Sequence, residues 1–181
     1  MRLPTIREEV ENDIPAIRAL TRAAFAHADH SQGNEQDIID TLRRDGDLTL
    51  SLVATNMDEA VIGHIAFSPI SISDGTRDWY AAGPISVMPT RQRTGIGSQL
   101  AEESLSRMRA LGAKGIVLLG EPDYYARYGF RPDPGLVLPG APPEHFQVRM
   151  LVGGPRPAGI VTYAPAFGAQ PPQSSAAPEI R

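Results

Sequence analysis

Thr90-Arg91-Gln92-Arg93-Thr94-Gly95-Ile96-Gly97-Ser98 places two glycines where an apolar stretch gives way to an amphipathic one. Upstream, Trp79–Val87 has the apolar and aromatic content of a strand. Its Gly83-Pro84 pair cannot sustain a regular ladder, because proline donates no hydrogen bond and glycine loosens the chain, so a bulge or a splayed edge is expected there. Downstream, Leu100, Leu105, Met108 and Leu111 recur at helical spacing and are expected to face the core before Gly112 stops the helix. Gly115–Leu119 follows, short and almost wholly apolar, as suits a buried central strand reached by a helical crossover. Part of the sheet is therefore expected to be parallel.

Reading outward toward the N-terminus, residues 3–10 form a weakly signalled edge strand. Asn12 and Asp13 then offer a helix N-cap, and Ile14, Ile17, Leu20, Thr21, Ala24 and Phe25 continue at helical spacing to about His27. A polar turn from Ala28 to Gly33 leads to a second helix with Ile38, Ile39 and Leu42 on one face, ending near Asp45-Gly46. Residues 48–55 and 60–70 read as a hairpin around Asn56-Met57-Asp58-Glu59. Beyond the central strand, a short helix spans residues 122–127, and a strand follows Tyr128-Gly129-Phe130. Residues 146–152 and 159–163 look like one further strand pair. The fold class is mixed α/β: a central sheet flanked by helices, in one domain over residues 3–167. Residues 168–181, rich in Pro, Ala, Ser and Gln with few apolar anchors, read as a mobile tail.

Composition narrows the function. The chain has 181 residues, 41% of them hydrophobic and 21% charged, which fits one globular domain with a real core. A net charge of −4 disfavours broad nucleic-acid binding, which needs a basic footprint. No apolar run approaches the length of a membrane span and no secretory signal opens the chain, so a cytoplasmic protein is expected. With no cysteine, disulfides, thiolate metal sites and acyl-cysteine intermediates are ruled out. His27, His30, His64 and His145 lack the i, i+4 pairing of a metal motif, and no metal site is expected.

Glycines between a strand end and a helix start usually answer to phosphate. They let the backbone come close to a ligand, and the free amides and dipole of a helix N-terminus attract an anion. Arg91 and Arg93 would add positive charge. Taken alone, the same glycines serve equally well as a tight turn beside solvated arginines. A P-loop would need Gly-Lys-Ser/Thr where Gly97-Ser98-Gln99 stands. A dinucleotide fingerprint would need a third glycine at Leu100.

The run Val87-x-Pro89-x-x-Gln92-x-x-Gly95-x-Gly97 resembles the acetyl-CoA signature of the GNAT superfamily of N-acetyltransferases. A second segment, Gly120-Glu121-Pro122-Asp123-Tyr124-Tyr125-Ala126-Arg127-Tyr128-Gly129-Phe130, resembles that family's tyrosine-bearing short helix followed by Gly-Phe. Together with Gly63-His64-Ile65-Ala66-Phe67 and Val161-Thr162-Tyr163-Ala164-Pro165-Ala166-Phe167, they are similar to the small bacterial YhbS-like acetyltransferases, over roughly residues 5–167.

The resemblance implies a twisted mixed sheet whose fourth and fifth strands splay to admit coenzyme A. It implies acetyl-CoA as cosubstrate and an amine-bearing small molecule or peptide as acceptor. The amides of Gln92, Arg93, Thr94, Gly95, Ile96, Gly97 and Ser98 would hold the pyrophosphate, and the backbone of Ile85, Ser86 and Val87 would pair with the pantetheine arm. Tyr125 takes the place of the tyrosine that faces the thioester sulfur, whereas Tyr124 and Tyr128 read as packing residues. For a general base, His64 and Glu121 are both better accounted for structurally, His64 as a hydrogen-bonded core histidine and Glu121 as a helix cap. His27, His30 and Gln32 are candidates for the acceptor side, against the simpler account of an exposed polar loop. A homodimer is compatible with the sequence, which carries no decisive signal for one. An acyl-CoA sensor without turnover and a partner-binding module that keeps only the fold are the competing functional classes.

Overall fold

The computed structural model describes residues 3–29 and 31–168; His30 and, of the tail expected at 168–181, residues 169–181 lie outside the described residues. Fourteen helices and strands follow in chain order: β1 (Thr5–Glu8), α1 (Ile14–Phe25), α2 (Glu35–Asp45), β2 (Leu50–Thr55), β3 (Val61–Pro69), β4 (Ser71–Ile72), β5 (Trp79–Val87), α3 (Ile96–Ala110), β6 (Gly115–Leu119), α4 (Pro122–Tyr125), β7 (Arg131–Pro132), β8 (Leu136–Val137), β9 (Phe146–Met150) and β10 (Gly159–Thr162). The main sheet has seven strands in the order β1-β2-β3-β5-β6-β9-β7, and β4, β10 and β8 form a small second sheet.

Every pairing in the main sheet is antiparallel except β5–β6, the pair joined by the α3 crossover. β2 and β6 are buried along their whole length, as is β3 up to Ser68, because helices cover both faces of the sheet. One core, with Leu52, Phe67, Leu100, Met108 and Ile116, lies under α3. A separate cluster of Ile17, Leu20, Ile39, Val53 and Val61 lies under α1 and α2.

The feature that positions the site is the end of the β5–β6 ladder. Trp79, Tyr80 and Ala81 pair with Gly115, Ile116 and Val117, and pairing then stops. On the other edge of β5, Ile65 pairs with Ile85 and Phe67 with Ala82, so Gly83 and Pro84 together oppose the single residue Ala66. This is the expected bulge, and it turns the second half of β5 away from β6. These two strands are the fourth and fifth of the main sheet in chain order, and they diverge as expected.

Four local expectations are corrected. Leu111 does not face the core: it lies past the end of α3, where Gly112 (φ 89°) turns the chain, and is 56% exposed. The last two strands do not pair with each other. β9 joins β6 and β7 in the main sheet, while β10 joins β4 and β8, because the 136–137 segment supplies a short parallel partner that has too few residues to signal itself. Asp13 precedes α1 but its side chain does not cap it. The carboxylate instead accepts from the Arg7 guanidinium and, at 2.8 Å, from the Val10 amide, a charge-assisted pairing stronger than a neutral cap. Glu121 likewise stands at the cap position of α4 without a side-chain cap bond, its carboxylate lying 4.0 Å from His145 Nδ1.

Candidate active site

The loop after β5 is built to leave its amides open. Pro89–Arg91 forms a single helical turn, tied back by the Arg91 amide to the Met88 carbonyl at 2.7 Å. The Thr94 hydroxyl donates to the Arg91 carbonyl at 2.6 Å, and the Gln92 side-chain amide donates to the Val87 carbonyl at 3.3 Å. These bonds fold the loop through its carbonyls. Arg93 (φ 62°) and Gly95 (φ 90°) both take left-handed conformations, and Gly95 stands at the N-cap of α3. Its own side-chain-free backbone cannot satisfy the first turn, so the amides of Ile96, Gly97 and Ser98 have no helical carbonyl to bond. The helix dipole and these free donors make the start of α3 favourable for an anion.

Gly63 of β3 seats this helix start. A Cβ at Gly63 would lie 2.9 Å from both Ile96 Cγ2 and Leu100 Cδ1, so the absence of a side chain there lets these two residues of α3 pack directly on the sheet.

The gap between β5 and β6 opens into a narrow cleft, partly open to solvent. Its walls include Ile65, Ile85, Leu105, Leu118 and Tyr125, almost entirely apolar. The Met88 amide bonds the Ile62 carbonyl of β3, so strand alternation turns the peptide groups of Ile85 and Val87 the other way, toward this gap. Ser86 differs: its backbone faces His64 of β3, and its hydroxyl donates to Thr21 of α1 at 3.4 Å. The segment 85–87 thus turns the Ile85 peptide group and the Val87 amide toward the gap, the Val87 carbonyl being taken by Gln92, with Ser86 holding the strand in place behind them.

Tyr125 is 5% exposed and lies against the Tyr124 ring (centroids 4.8 Å apart) and the Phe130 ring (6.2 Å). A Cβ at Gly120 would come within 2.3 Å of its Cε2, so the glycine that ends β6 is what lets the ring turn into the cleft. Tyr128 was expected only to pack, yet it lines the cleft and its hydroxyl donates to Ser98 Oγ at 2.6 Å. The i, i+4 spacing of Tyr124 and Tyr128 was the available signal that both would lie on one helical face.

His64 lies apart from the cleft. It is fully buried, with Nε2 2.8 Å from Ser51 Oγ. Burial pushes its pKa down to about 4, against the opposing pull of Glu9. Glu9 in turn accepts from Ser51 and from the Arg43 guanidinium at 2.7 and 3.0 Å. The core-histidine reading fits this arrangement. His27 and Gln32 occupy the described part of the α1–α2 connection. Among the described residues no group of three or more His, Asp or Glu side chains could hold a metal ion, and no helix is long and apolar enough to cross a membrane.

Residues 5–132 match the family model described as "Acetyltransferase (GNAT) domain". The chain is 37% identical over 125 residues to the N-acetyltransferase YhbS of Escherichia coli K12, covering 69% of this chain and 72% of that protein. Among solved structures, a GNAT family acetyltransferase from Brucella melitensis in complex with acetyl-CoA superposes with a TM-score of 0.80 at 43% identity, over 91% of this chain and 97% of that one. YhbS from Escherichia coli in complex with CoA superposes with a TM-score of 0.83 at 33% identity, over 92% and 93% of the two chains. A diverging β5–β6 pair, an open-amide loop and a match over residues 5–132 agree, and the chain belongs to the GNAT acetyltransferase family.

Proposed function

We propose that this protein transfers an acetyl group from acetyl-CoA to a primary amine by direct attack on the thioester. The observation that carries the reading is the apolar cleft left where β5 and β6 part, lined by Ile85 and the buried Tyr125, on the strand that leads into the glycine loop at the start of α3. The relatives from Brucella melitensis and Escherichia coli, described as complexes with acetyl-CoA and CoA, support the choice of cosubstrate.

Gln92, Arg93, Thr94, Gly95, Ile96, Gly97 and Ser98 form the diphosphate-binding segment, with the backbone amides as donors and Gln92 bracing the loop against Val87. Ile85 and Val87 extend the sheet to the pantetheine arm through the Ile85 peptide group and the Val87 amide, and Ser86 fixes that strand from behind. The neutral amine attacks the carbonyl carbon, and the Val87 amide is placed to donate to the oxyanion that develops. When the carbon–sulfur bond breaks, the thiolate needs a hydrogen-bond donor, which Tyr125 supplies. A reference phenol has a pKa of about 10 and a thiol about 8.5, so complete proton transfer is uphill by roughly 2 kcal/mol and hydrogen bonding is the main role of the phenol. The apolar walls exclude water, which strengthens both interactions.

Thiol release from acetyl-CoA across a panel of α-amines, lysine side chains, polyamines and aminoglycosides tests the reading. Wild type is expected to turn over at least one class, and Tyr125→Phe to lower kcat about 10- to 100-fold while binding CoA normally. CoA binding without turnover on any amine would make the protein an acyl-CoA sensor. Failure to bind CoA at all would favour a partner-binding module.

A further inference from the structure

The ladder between β6 and β9 ends on a half-made pair. In its antiparallel register Gly115 faces Met150 and Leu119 faces Phe146, so Gly120 and His145 would next exchange two hydrogen bonds. Only one of them forms. The Gly120 amide donates to the His145 carbonyl at 3.0 Å, whereas the His145 amide turns away to the Pro142 carbonyl, also at 3.0 Å. The carbonyl of the buried Gly120 is thereby left without its strand donor.

The Gln147 side chain supplies the missing bond. Its Nε2 donates to the Gly120 carbonyl at 3.0 Å, and the residue is fully buried. A carbonyl can only accept, so the side-chain amide must present its NH2 group to Gly120, which leaves Oε1 buried and without a partner. An orphaned buried acceptor costs free energy. An apolar side chain of the same length would move that cost to the Gly120 carbonyl rather than add to it, so fold stability alone gives no reason for a glutamine here.

Its position gives one. Gly120 is the floor on which the Tyr125 ring lies: a Cβ there would collide with Cε2 and would come within 2.8 Å of Cδ2. The Glu121 carbonyl, one peptide further on, accepts from the Tyr124 and Tyr125 amides at 3.2 and 3.1 Å. The peptide that Gln147 holds is therefore the one from which the tyrosine-bearing turn starts. We propose that Gln147 is a positioning residue for acetyl transfer: by fixing the Gly120–Glu121 peptide at the end of β6, it sets the place of the Tyr125 ring in the cleft. This role rests on the acetyl transfer proposed above and adds a residue of β9, outside both sequence motifs and beyond the matched segment 5–132.

Gln147→Met keeps the length of the side chain and removes the donor. With acetyl-CoA and the amine of the panel above that wild type acetylates fastest, this variant is expected to lower kcat about tenfold, the effect of a small misplacement of a catalytic group. Its KM for acetyl-CoA is expected to stay within about twofold of wild type and its Tm within about 3 °C. Because Gln147 acts only through Tyr125, the double variant with Tyr125→Phe is expected to be no slower than Tyr125→Phe alone. Multiplied losses in the double variant, or an unchanged kcat in Gln147→Met, would overturn the role. A crystal structure of Gln147→Met is expected to show the Tyr125 ring displaced by about 1 Å, a readout that needs no turnover. If wild type acetylates no amine, the acetyl-transfer reading fails, whereas an unmoved ring overturns the role of Gln147 by itself.

Discussion

The loop at the start of α3 and the cluster at the N-terminal sheet edge are both dense in polar groups, yet they are finished in opposite ways. At the edge, Arg43, Glu9, Ser51 and His64 bond one another, guanidinium to carboxylate, hydroxyl to carboxylate, imidazole to hydroxyl, and only the buried His64 Nδ1 of that set is left without a partner. Because the carboxylate can only accept, Ser51 donates to Glu9 and must accept from His64 Nε2–H, which fixes the imidazole tautomer. At the loop, Gln92 and Thr94 use their side chains to bond carbonyls and leave the amides facing outward. A polar cluster that closes on itself holds a fold together. One that holds its shape while leaving donors open is suited to bind.

If the edge cluster is structural, its largest signature is acid sensitivity. His64 titrates near 4 in the fold against an ordinary value of 6.5, so the folded state binds its proton more weakly than the unfolded chain does. The stabilisation is fully present above pH 6.5 and is lost as pH falls toward 4, a change of about 3 kcal/mol across that window. His64→Gln, which can still donate to Ser51 and does not titrate, is expected to flatten the stability profile between those values in urea melts. An unchanged profile would break the assignment. Glu9, whose carboxyl is held below its usual value by Arg43 and Ser51 against the cost of burial, adds a further loss below 4.5 that the variant retains.

Next in size is Glu9→Gln, expected to destabilise by about 2 kcal/mol because the half-buried Arg43 loses its bidentate counter-charge and keeps only the single bond to Asp40, with CoA affinity unaffected. Gly63→Ala sharpens the contrast from the other side. The added methyl at 2.9 Å from Ile96 Cγ2 and Leu100 Cδ1 must displace these side chains at the start of α3, at an expected cost of about 1 to 2 kcal/mol, and unlike the edge variants it is expected to weaken CoA binding as well. Smallest is Leu111→Lys, which lies outside both regions at an exposed position and is expected to change stability by less than about 0.5 kcal/mol.

The same contrast explains what was legible in the sequence. Gly95 and the Gly83-Pro84 break announce backbone needs that few other residues meet, so the turn before α3 and the bulge could be read directly, whereas the splay of the fourth and fifth strands was legible through the family resemblance. Tyr125 was legible only through its likeness to a family pattern, because a tyrosine on a short helix has no local signature of facing a cleft. The Ser98–Tyr128 bond joins residues thirty positions apart and depends on tertiary placement, which periodicity does not encode. The partners of β9 and β10 were misread for a related reason: two-residue strands such as β4 and β8 are too short to show alternation, and they decide which sheet each longer strand joins.

The central claim is that the open-amide loop binds the diphosphate of acetyl-CoA, and calorimetric titration of wild type and Gly97→Trp with acetyl-CoA tests it most directly. Gly97 lies buried in the first turn of α3, where an indole would fill the space in front of the amides. Binding by wild type that is lost in a variant with an unchanged circular dichroism spectrum is the predicted result. Equal binding by the two folded proteins would contradict the account, because the anion would then be held elsewhere.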